Sequence, residues 1–519
     1  MPTQKTDYLV QLINALTKAE KRSFRLFVTR NQSSDEILFL RLFDEISRSG
    51  EYNEPQVLNR IPGIKKRQLS NLKAHLYKQL LLCLRMLNRS GNPDIEIRER
   101  IDYARVLYDK GLYRQSLDVL AKTKTRAMRE NRFVLTLDIL EFEKFIESQY
   151  ITRSIENRAE ELKRETKFLE QKISKSLAFS NLAIQLYGLY LKVGHVRSEH
   201  DFQYLENFFY SNLPAHDTGQ LNFYQKLYLF QSYMWFHYMN QDFANYYKYC
   251  KRWYDSFEEF PEMIRLETPL YLKSIHNVLA ALYMSYRYSR FLEMLHILND
   301  IPSRGLIVTR NEEGLFQMYR YIHLINRHFL TGTFSEGTQF MPELAQMLES
   351  NPYNWDGHRI LVFYYKLACM YFGSGDWYSS ITYLNKIINS KSHDLRADIQ
   401  SYARILNLIA HYELGNDQLI EYQIKSVYRY LAKMKELQSI QSEIFRFLQK
   451  TPAMFKKDMK GLFSDLRDKL LKLSTSPYER RAFLYLDIIS WLESKIQDRP
   501  VELIIQEKFR KKVHVWATD

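Results

Sequence analysis

The feature that most constrains the fold is a helix–turn–helix pattern that recurs along the middle of the chain. In its clearest copy, residues 367–388, an apolar helical stretch ends at Gly375, Trp377 follows, and a second amphipathic stretch begins. Apolar residues recur three and four positions apart in each stretch, which predicts two packed helices. The pattern positions of this copy are Leu367, Ala368, Tyr371, Ser380, Leu384 and Ile387.

The same offsets recur elsewhere in the sequence. A second strong copy holds Tyr103, Ala104, Leu107, Gly111, Tyr113, Ser116 and Leu120. Weaker copies have their turn position at Val196, at Phe243, at Tyr288, at Phe334 after Gly332, and at Asp417 after Gly415. The steps from Val196 onward are 40 to 47 residues, and the step of 83 from Tyr113 leaves room for one degenerate unit near Tyr150. One hairpin cannot bury its apolar face alone, so these copies predict an array of stacked helix pairs.

This pattern resembles the tetratricopeptide repeat, in which a large–small pair, a Gly-x-aromatic turn and a small residue let two helices pack closely. Leu367 and Ala368 take the large–small pair. Gly375, Trp377 and Ser380 take the turn and the small position. The period of about 43–45 residues exceeds the 34 of the standard repeat, so longer helices or linkers are implied. The resemblance implies an all-α, right-handed α-solenoid of antiparallel helix pairs, with a groove that binds extended peptides or helices. The chain also resembles bacterial helical-repeat proteins.

The net charge of +14 is concentrated at the two ends of the chain. Residues 1–90 carry a net charge of +8 and residues 446–519 carry +6, whereas the middle is neutral. We therefore divide the chain into a basic helical region (1–95), a repeat array (96–445) and a basic helical cap (446–519). A basic end can bind nucleic acid, an acidic protein surface or a membrane surface, or can simply be a solvated face.

Residues 54–87 of the basic N-terminal region have the outline of a helix-turn-helix: a short helix, a Gly-containing turn and a basic second helix. On that interpretation Lys65, Lys66, Arg67 and Lys73 would contact nucleic acid or an acidic partner. The alternative is an ordinary helical hairpin. The second helix is apolar on most sides in its C-terminal half, whereas a recognition helix must leave one face free.

Tyrosine is in excess, with 38 residues in the chain. The segment 246–257 places Tyr246, Tyr247, Tyr249, Arg252 and Trp253 on one helix. Tyr, Trp and Arg are favoured at binding surfaces, so these residues are candidates for contacting a partner in the groove. The alternative is that tyrosines fill the seams between stacked helices, with their hydroxyl groups reaching water.

The low glycine and proline content favours long helices, and the cysteine pattern favours a reducing compartment. The 16 glycines and 13 prolines are few for 519 residues, and turn-rich folds need more of both. Cys83, Cys250 and Cys369 are far apart, lie in apolar stretches and lack metal-ligand or redox spacing. The N-terminus lacks the pattern of a signal peptide and no apolar stretch is long enough to span a membrane, so we expect a cytoplasmic location.

Motifs that carry catalytic chemistry are missing from the sequence. There is no phosphate-binding P-loop, no H-E-x-x-H and no G-x-S-x-G, and the histidine pairs lack metal-ligand spacing. We therefore expect no enzyme activity, cofactor, metal or small-molecule substrate. The leading hypothesis is a non-catalytic scaffold that binds a protein partner in the repeat groove. The alternatives are a nucleic-acid-binding regulator or ribosome-associated factor that uses the basic N-terminal region and, more remotely, an enzyme with an unrecognised site.

Overall fold

A computed structural model describes residues 7–29, 34–89, 91–149, 157–390, 397–433, 439–450, 459–475 and 487–516. These residues are helical or in short connections, without a β-strand among them, which confirms the predicted all-α class. The chain forms two compact units, residues 1–174 and 175–519, and the boundary falls inside one long helix. The region boundaries expected from charge and repeats, after 95 and after 445, do not coincide with it.

The first unit consists of short N-terminal helices followed by longer paired helices. Its helices are α1 Tyr8–Ala15, α2 Lys18–Thr29, α3 Ser34–Ser49, α4 Glu54–Arg60, α5 Leu69–Leu87, α6 Pro93–Asp109, α7 Tyr113–Arg129 and α8 Phe133–Gln149, and α9 Arg158–Val193 contains the boundary. Helices α1 to α5 enclose one apolar core, in which the rings of Phe24 and Phe43 lie 4.8 Å apart. Helix α6 pairs with α7, and α7 with α8.

The second unit contains most of the helix pairs. Its further helices are α10 Glu199–Asn212, α11 Phe223–Met239, α12 Phe243–Glu259, α13 Met263–Leu266, α14 Thr268–Met284, α15 Tyr288–Asp300, α16 Arg310–Thr331, α17 Phe334–Gly337, α18 Met341–Ser350, α19 Gly357–Ser374, α20 Trp377–Ile388, α21 Ala397–Glu413, α22 Asp417–Lys433, α23 Ser439–Lys450, α24 Met459–Ser474, α25 Ile488–Gln497 and α26 Val501–Trp516. What we call the first helices are α11, α14, α16, α19 and α21, each of which packs against the helix that follows it, together with α9, which precedes α10.

The turns between paired helices share one backbone geometry. A residue with positive φ ends the first helix, and the second helix begins two residues later at Tyr113, Phe243, Tyr288, Phe334, Trp377 and Asp417, as predicted. In each turn an N–H donates to the carbonyl five residues earlier, at 2.9 to 3.1 Å. This is the Schellman geometry, which satisfies carbonyl groups at a helix end.

Glycine supplies the positive φ in only some of these turns. Gly111, Gly332, Gly375 and Gly415 have φ between 68° and 86°, in agreement with their predicted turn role. Asn131, Gln241 and Tyr286 take the same conformation in other turns. The pair expected at Val196 differs, because its second helix begins later, at Glu199. The unit expected near Tyr150 lies outside the described residues.

The small residue predicted in the second helix makes a specific contact in both strong copies. Ser116 Oγ donates to the carbonyl of Ala104 at 2.7 Å, and Ser380 Oγ donates to that of Ala368 at 3.0 Å. All four residues are completely buried. The serine thus allows close helix approach and also binds a carbonyl of the helix that it approaches.

The helix pair at Gly332 departs from this plan. Its second helix, α17, has four residues and continues through a 3₁₀ turn into α18. Gly337 takes the place of the small residue, and a Cβ there would lie 2.5 Å from the sulfur of Met370. The ring of Phe334 occupies the space that a Cβ of Gly373 would need. Two glycines therefore let α17 lie against α19 at very short range.

Candidate functional site: a pocket lined by the first helices

A pocket of about 340 Å³ lies inside the second unit. All six first helices contribute to its wall, together with the C-terminal helix α26 and Asp487 at the start of α25. The wall is largely aromatic and includes Tyr190, Tyr238, Tyr283, Tyr286, Phe329, Phe334, Tyr365, Phe372 and Phe509. Its charged members are Lys366, Lys508, Lys512 and Asp487. The first helices of successive pairs thus face one common space.

Helix α26 is held against the helix pair at Gly332 by polar contacts. The backbone N–H and the hydroxyl group of Ser335 donate to the two carboxylate oxygens of Glu502, at 3.0 and 2.5 Å. The Gln506 side chain donates to the carbonyl of Gly332 at 3.0 Å. A Cβ at Gly332 would lie 2.8 Å from the backbone nitrogen of Gln506. This close approach requires glycine whatever the backbone conformation.

The C-terminal part of α26 contacts the turn between α14 and α15. The ring of Phe509 meets that of Tyr288 edge to face, with centroids 4.8 Å apart. The ammonium group of Lys512 lies 3.6 Å from the ring centroid of Tyr286. The centre of these contacts, at 509–512, lies six to seven residues along α26 from the centre of those at Gly332, at 502–506, a rise of about 10 Å. That rise matches the spacing of packed helices, so α26 contacts two successive pairs.

A chain of hydrogen bonds, buried or partly buried, crosses three first helices beside the pocket. Lys366 Nζ on α19 donates to Asn326 Oδ1 on α16 at 2.6 Å. The amide group of Asn326 donates to His323 Nδ1 at 3.4 Å, so the proton of His323 lies on Nε2 and is donated to His276 Nδ1 at 2.9 Å. Lysine can only donate, and it therefore sets the direction of the whole chain.

Burial controls the charge of this chain. It lowers the pKa of His276 to about 3 and lowers that of His323 too, and neighbouring cations lower both further, so both rings are neutral. Burial also lowers the pKa of Lys366, to about 8, which leaves it mainly protonated at neutral pH. Among the described residues no carboxylate forms an ion pair with Lys366. Lys366 is therefore a half-buried cation at the pocket wall, with its Nζ 6.0 Å from the ring centroid of Tyr283 and 5.4 Å from that of Phe329.

The basic N-terminal residues are partly available. Lys65, Lys66 and Arg67 are exposed at the start of α5, and Lys66 forms an ion pair with Glu54 at 3.3 Å. Lys73 is engaged within the unit, because it pairs with Asp7 and lies 4.0 Å from the ring centroid of Tyr52.

Helix α5 is not the centrally packed helix that its apolar residues suggested. It buries one face, which includes Leu76 and Leu80, whereas Leu81 and Met86 on the other side are 46% and 63% exposed. The objection that no face is free for a partner is therefore wrong. Residues 55–93 also contain eight Lys and Arg and no Asp or Glu, a signal in the sequence that the regional charge count did not resolve.

The aromatic cluster predicted at 246–257 is mostly a packing feature. Tyr246 is 4% exposed and Trp253 is completely buried, which corrects their assignment as groove residues. Tyr249 stacks on Tyr233 of the paired helix at 4.3 Å, and the exposed Arg252 lies over the ring of Tyr249. Tyr247 is half-buried under the guanidinium group of Arg287. Tyr247 and Tyr249 therefore fill seams between helices, where their rings pack against neighbouring side chains.

Two parts of the site were not predicted. Lys366 is the one charged residue in the apolar stretch 360–372, and this isolation is the signal that could have identified it. The docking of α26 has no local signal, because its hydrogen bonds to the helix pair at Gly332 join residues 167 and 174 positions apart. Where the structure describes the chain, no cluster of three or more His, Cys, Asp or Glu could hold a metal ion. None of the described helices is both long enough and apolar enough to cross a membrane.

The chain was also compared with known proteins. No protein-family model, no curated protein and no solved structure matches it.

Proposed function

We propose that this protein is a non-catalytic scaffold of the tetratricopeptide type that holds an amphipathic helix of a partner protein against the first helices of its array. The observation that carries the proposal is the position of α26, which lies across two successive helix pairs with its apolar side toward the pocket. A surface that accepts one amphipathic helix has the shape and chemistry to accept another.

The contacts of α26 define the partner sequence that would fit. Val501, Ile505 and Phe509 recur every four residues and line the pocket. Glu502 follows Val501, and Gln506 follows Ile505. The Glu502 carboxylate accepts from the backbone and hydroxyl groups of Ser335, and the Gln506 amide donates to the carbonyl of Gly332. A competing helix would need apolar residues at i, i+4 and i+8, an acid at i+1 and an amide or similar donor at i+5.

The test uses the full chain and a labelled peptide with the sequence of residues 499–516. In the natural chain α26 occupies the surface, so the peptide should bind weakly. Changing Ile505→Asp and Phe509→Asp should loosen α26 and strengthen peptide binding at least tenfold in fluorescence anisotropy. A control, Leu292→Asp and Tyr378→Asp, places two acids on exposed apolar residues of other helices. Peptide that binds the loosened variant no better than this control would refute the proposal.

A second candidate function, nucleic-acid binding through the start of α5, is supported by the exposed Lys65, Lys66 and Arg67 and by the free face of that helix. Such binding would be steeply salt-dependent, because each phosphate contact releases counterions. We expect micromolar binding of mixed-sequence duplex DNA or of RNA at low salt that weakens at physiological salt. Changing the three residues to Glu should abolish it.

The control for this experiment changes three exposed cations on other helices, Lys122, Arg164 and Lys167, to Glu. It alters the net charge by the same amount. Equal loss of binding in both triple variants would mean a non-specific charge effect. Binding that ignores salt would exclude the candidate.

A further inference from the structure

The pocket remains open although α26 lies beside it. Its volume of about 340 Å³ is within the range of small-molecule sites. Aromatic rings from several helices, among them Tyr283, Phe329 and Phe509, form much of the wall. Such a wall favours a flat apolar or aromatic body, because ring faces and edges pack well against one another.

The charges around the pocket favour an anion. Lys508 forms an ion pair with Glu493 at 2.7 Å and donates to Ser490, and Lys512 lies against the ring of Tyr286. Asp487 accepts hydrogen bonds from the backbone and the hydroxyl group of Ser490. Lys366 donates one of its three N–H groups to Asn326 and lies over the rings of Tyr283 and Phe329, and within the described part of the chain no carboxylate pairs with it.

A cation held partly out of water without a carboxylate partner is costly, and an anion that enters with good geometry offsets that cost. One unbalanced positive charge calls for one negative charge. A monoanion such as a carboxylate or sulfonate therefore fits better than a phosphate dianion.

We propose that this pocket binds a small organic monoanion, with its aromatic or apolar body among the pocket rings and its anionic group on Lys366 Nζ. The argument for this site does not rest on the proposed helix binding, although α26 forms one wall of the pocket. Sequence analysis predicted no small-molecule ligand, and the geometry of the pocket points to one.

The test compares two fluorescent probes that share an aromatic body. Anilinonaphthalene sulfonate is an anion, and phenylnaphthylamine is its neutral counterpart. We expect the full chain to bind the anion with one-to-one stoichiometry. Lys366→Met should weaken binding of the anion at least tenfold and leave binding of the neutral probe unchanged. Lys366→Arg, which keeps the charge, should retain most of the affinity for the anion.

Two further variants locate the probe. Ala280→Phe fills the pocket from α14 and should reduce the affinity for both probes, and Lys248→Met removes an exposed charge elsewhere and should affect neither. Circular dichroism checks that each variant is folded. An affinity for the anion that is the same in the natural chain and in Lys366→Met, or that survives Ala280→Phe, overturns the proposal.

Discussion

The helix pairs at Gly332 and at Gly375 have the same turn but different surroundings. Their glycines have φ of 68° and 86°, and each turn closes with a five-residue hydrogen bond, at 3.1 and 3.0 Å. At Gly375 a Cβ would meet nothing within 4 Å, whereas at Gly332 it would collide with the backbone of α26. Gly375 is required by its left-handed backbone conformation alone. Gly332 is required by that conformation and also by the close approach of α26. The same sequence signal therefore has two separable physical causes.

The two pairs also differ in their second helices. Ser380 binds a carbonyl of α19, and α20 continues for twelve residues. Gly337 has no side chain to do this, and α17 ends there after four residues. The pair that receives α26 thus departs from the helix–turn–helix pattern in its second helix.

The largest expected difference between the two pairs comes from alanine at the two turns. Gly375→Ala should lower the free energy of unfolding by about 1.5 kcal/mol, the cost of a left-handed alanine. Gly332→Ala should lower it by about 4 kcal/mol, because overpacking against Gln506 adds to that cost. Urea unfolding followed by circular dichroism measures both values. Gly111→Ala, also with open space around it, is the control and should match Gly375→Ala. Equal losses at 332 and 375 would show that α26 does not approach the turn this closely.

A smaller effect is expected at the hydrogen bond that joins the two pairs, between Lys366 and Asn326. The folded-state pKa of Lys366, about 8, is below its ordinary value of 10.5, so the folded protein carries a penalty while the amine is protonated. Lys366→Met should therefore raise the free energy of unfolding by about 2 to 3 kcal/mol at pH 7, after the lost hydrogen bond is subtracted.

The lowered pKa of Lys366 also predicts how the stability difference between the two proteins changes with pH. The penalty is complete below about pH 8 and disappears as the pH rises toward 10.5, so the advantage of the methionine variant should shrink over that range. Among the groups facing Lys366, burial raises the pKa of Cys369 to about 12 and raises that of Tyr283, while His276 and His323 stay neutral. A constant difference between the two proteins from pH 7 to 10 would mean that Lys366 is not buried as described.

The smallest expected effect concerns the serine that distinguishes the pair at Gly375. Ser380→Ala should lower the free energy of unfolding by about 1 kcal/mol, because the carbonyl of Ala368 loses a buried donor. Ser116→Ala removes the equivalent bond to Ala104 and should cost a similar amount. Ser379→Ala, next to the first site but only partly buried, should be nearly neutral. A negligible effect at both buried serines would reduce them to space-filling residues.

Local features of this fold could be predicted from the sequence. The starts of second helices, such as Trp377 and Asp417, follow from turn chemistry within a few residues, and so does the small position at Ser380. Turns at Asn131 and Tyr286 are harder to recognise, because these residues adopt a conformation that glycine adopts more easily.

The candidate site was less predictable, because tertiary contacts create it. Trp253 has the residue type of a binding hot spot, but the packing of α12 buries it completely. The basic C-terminal region, 446–519, was expected to be a solvated face or to bind a partner, whereas its Lys512 lies against Tyr286 of a distant helix pair. No period or motif encodes such long-range contacts.

The position of α26 has a mechanical consequence. Because α26 is attached to two successive helix pairs, it sets the distance between them. Separating the two pairs must first break the contacts at one end of α26. The turns at Tyr286 and Gly332 are therefore held at a fixed spacing while α26 is attached. Release of α26 would remove this constraint and one wall of the pocket in the same event. The spacing of the two helix pairs and access to the pocket thus depend on a single helix.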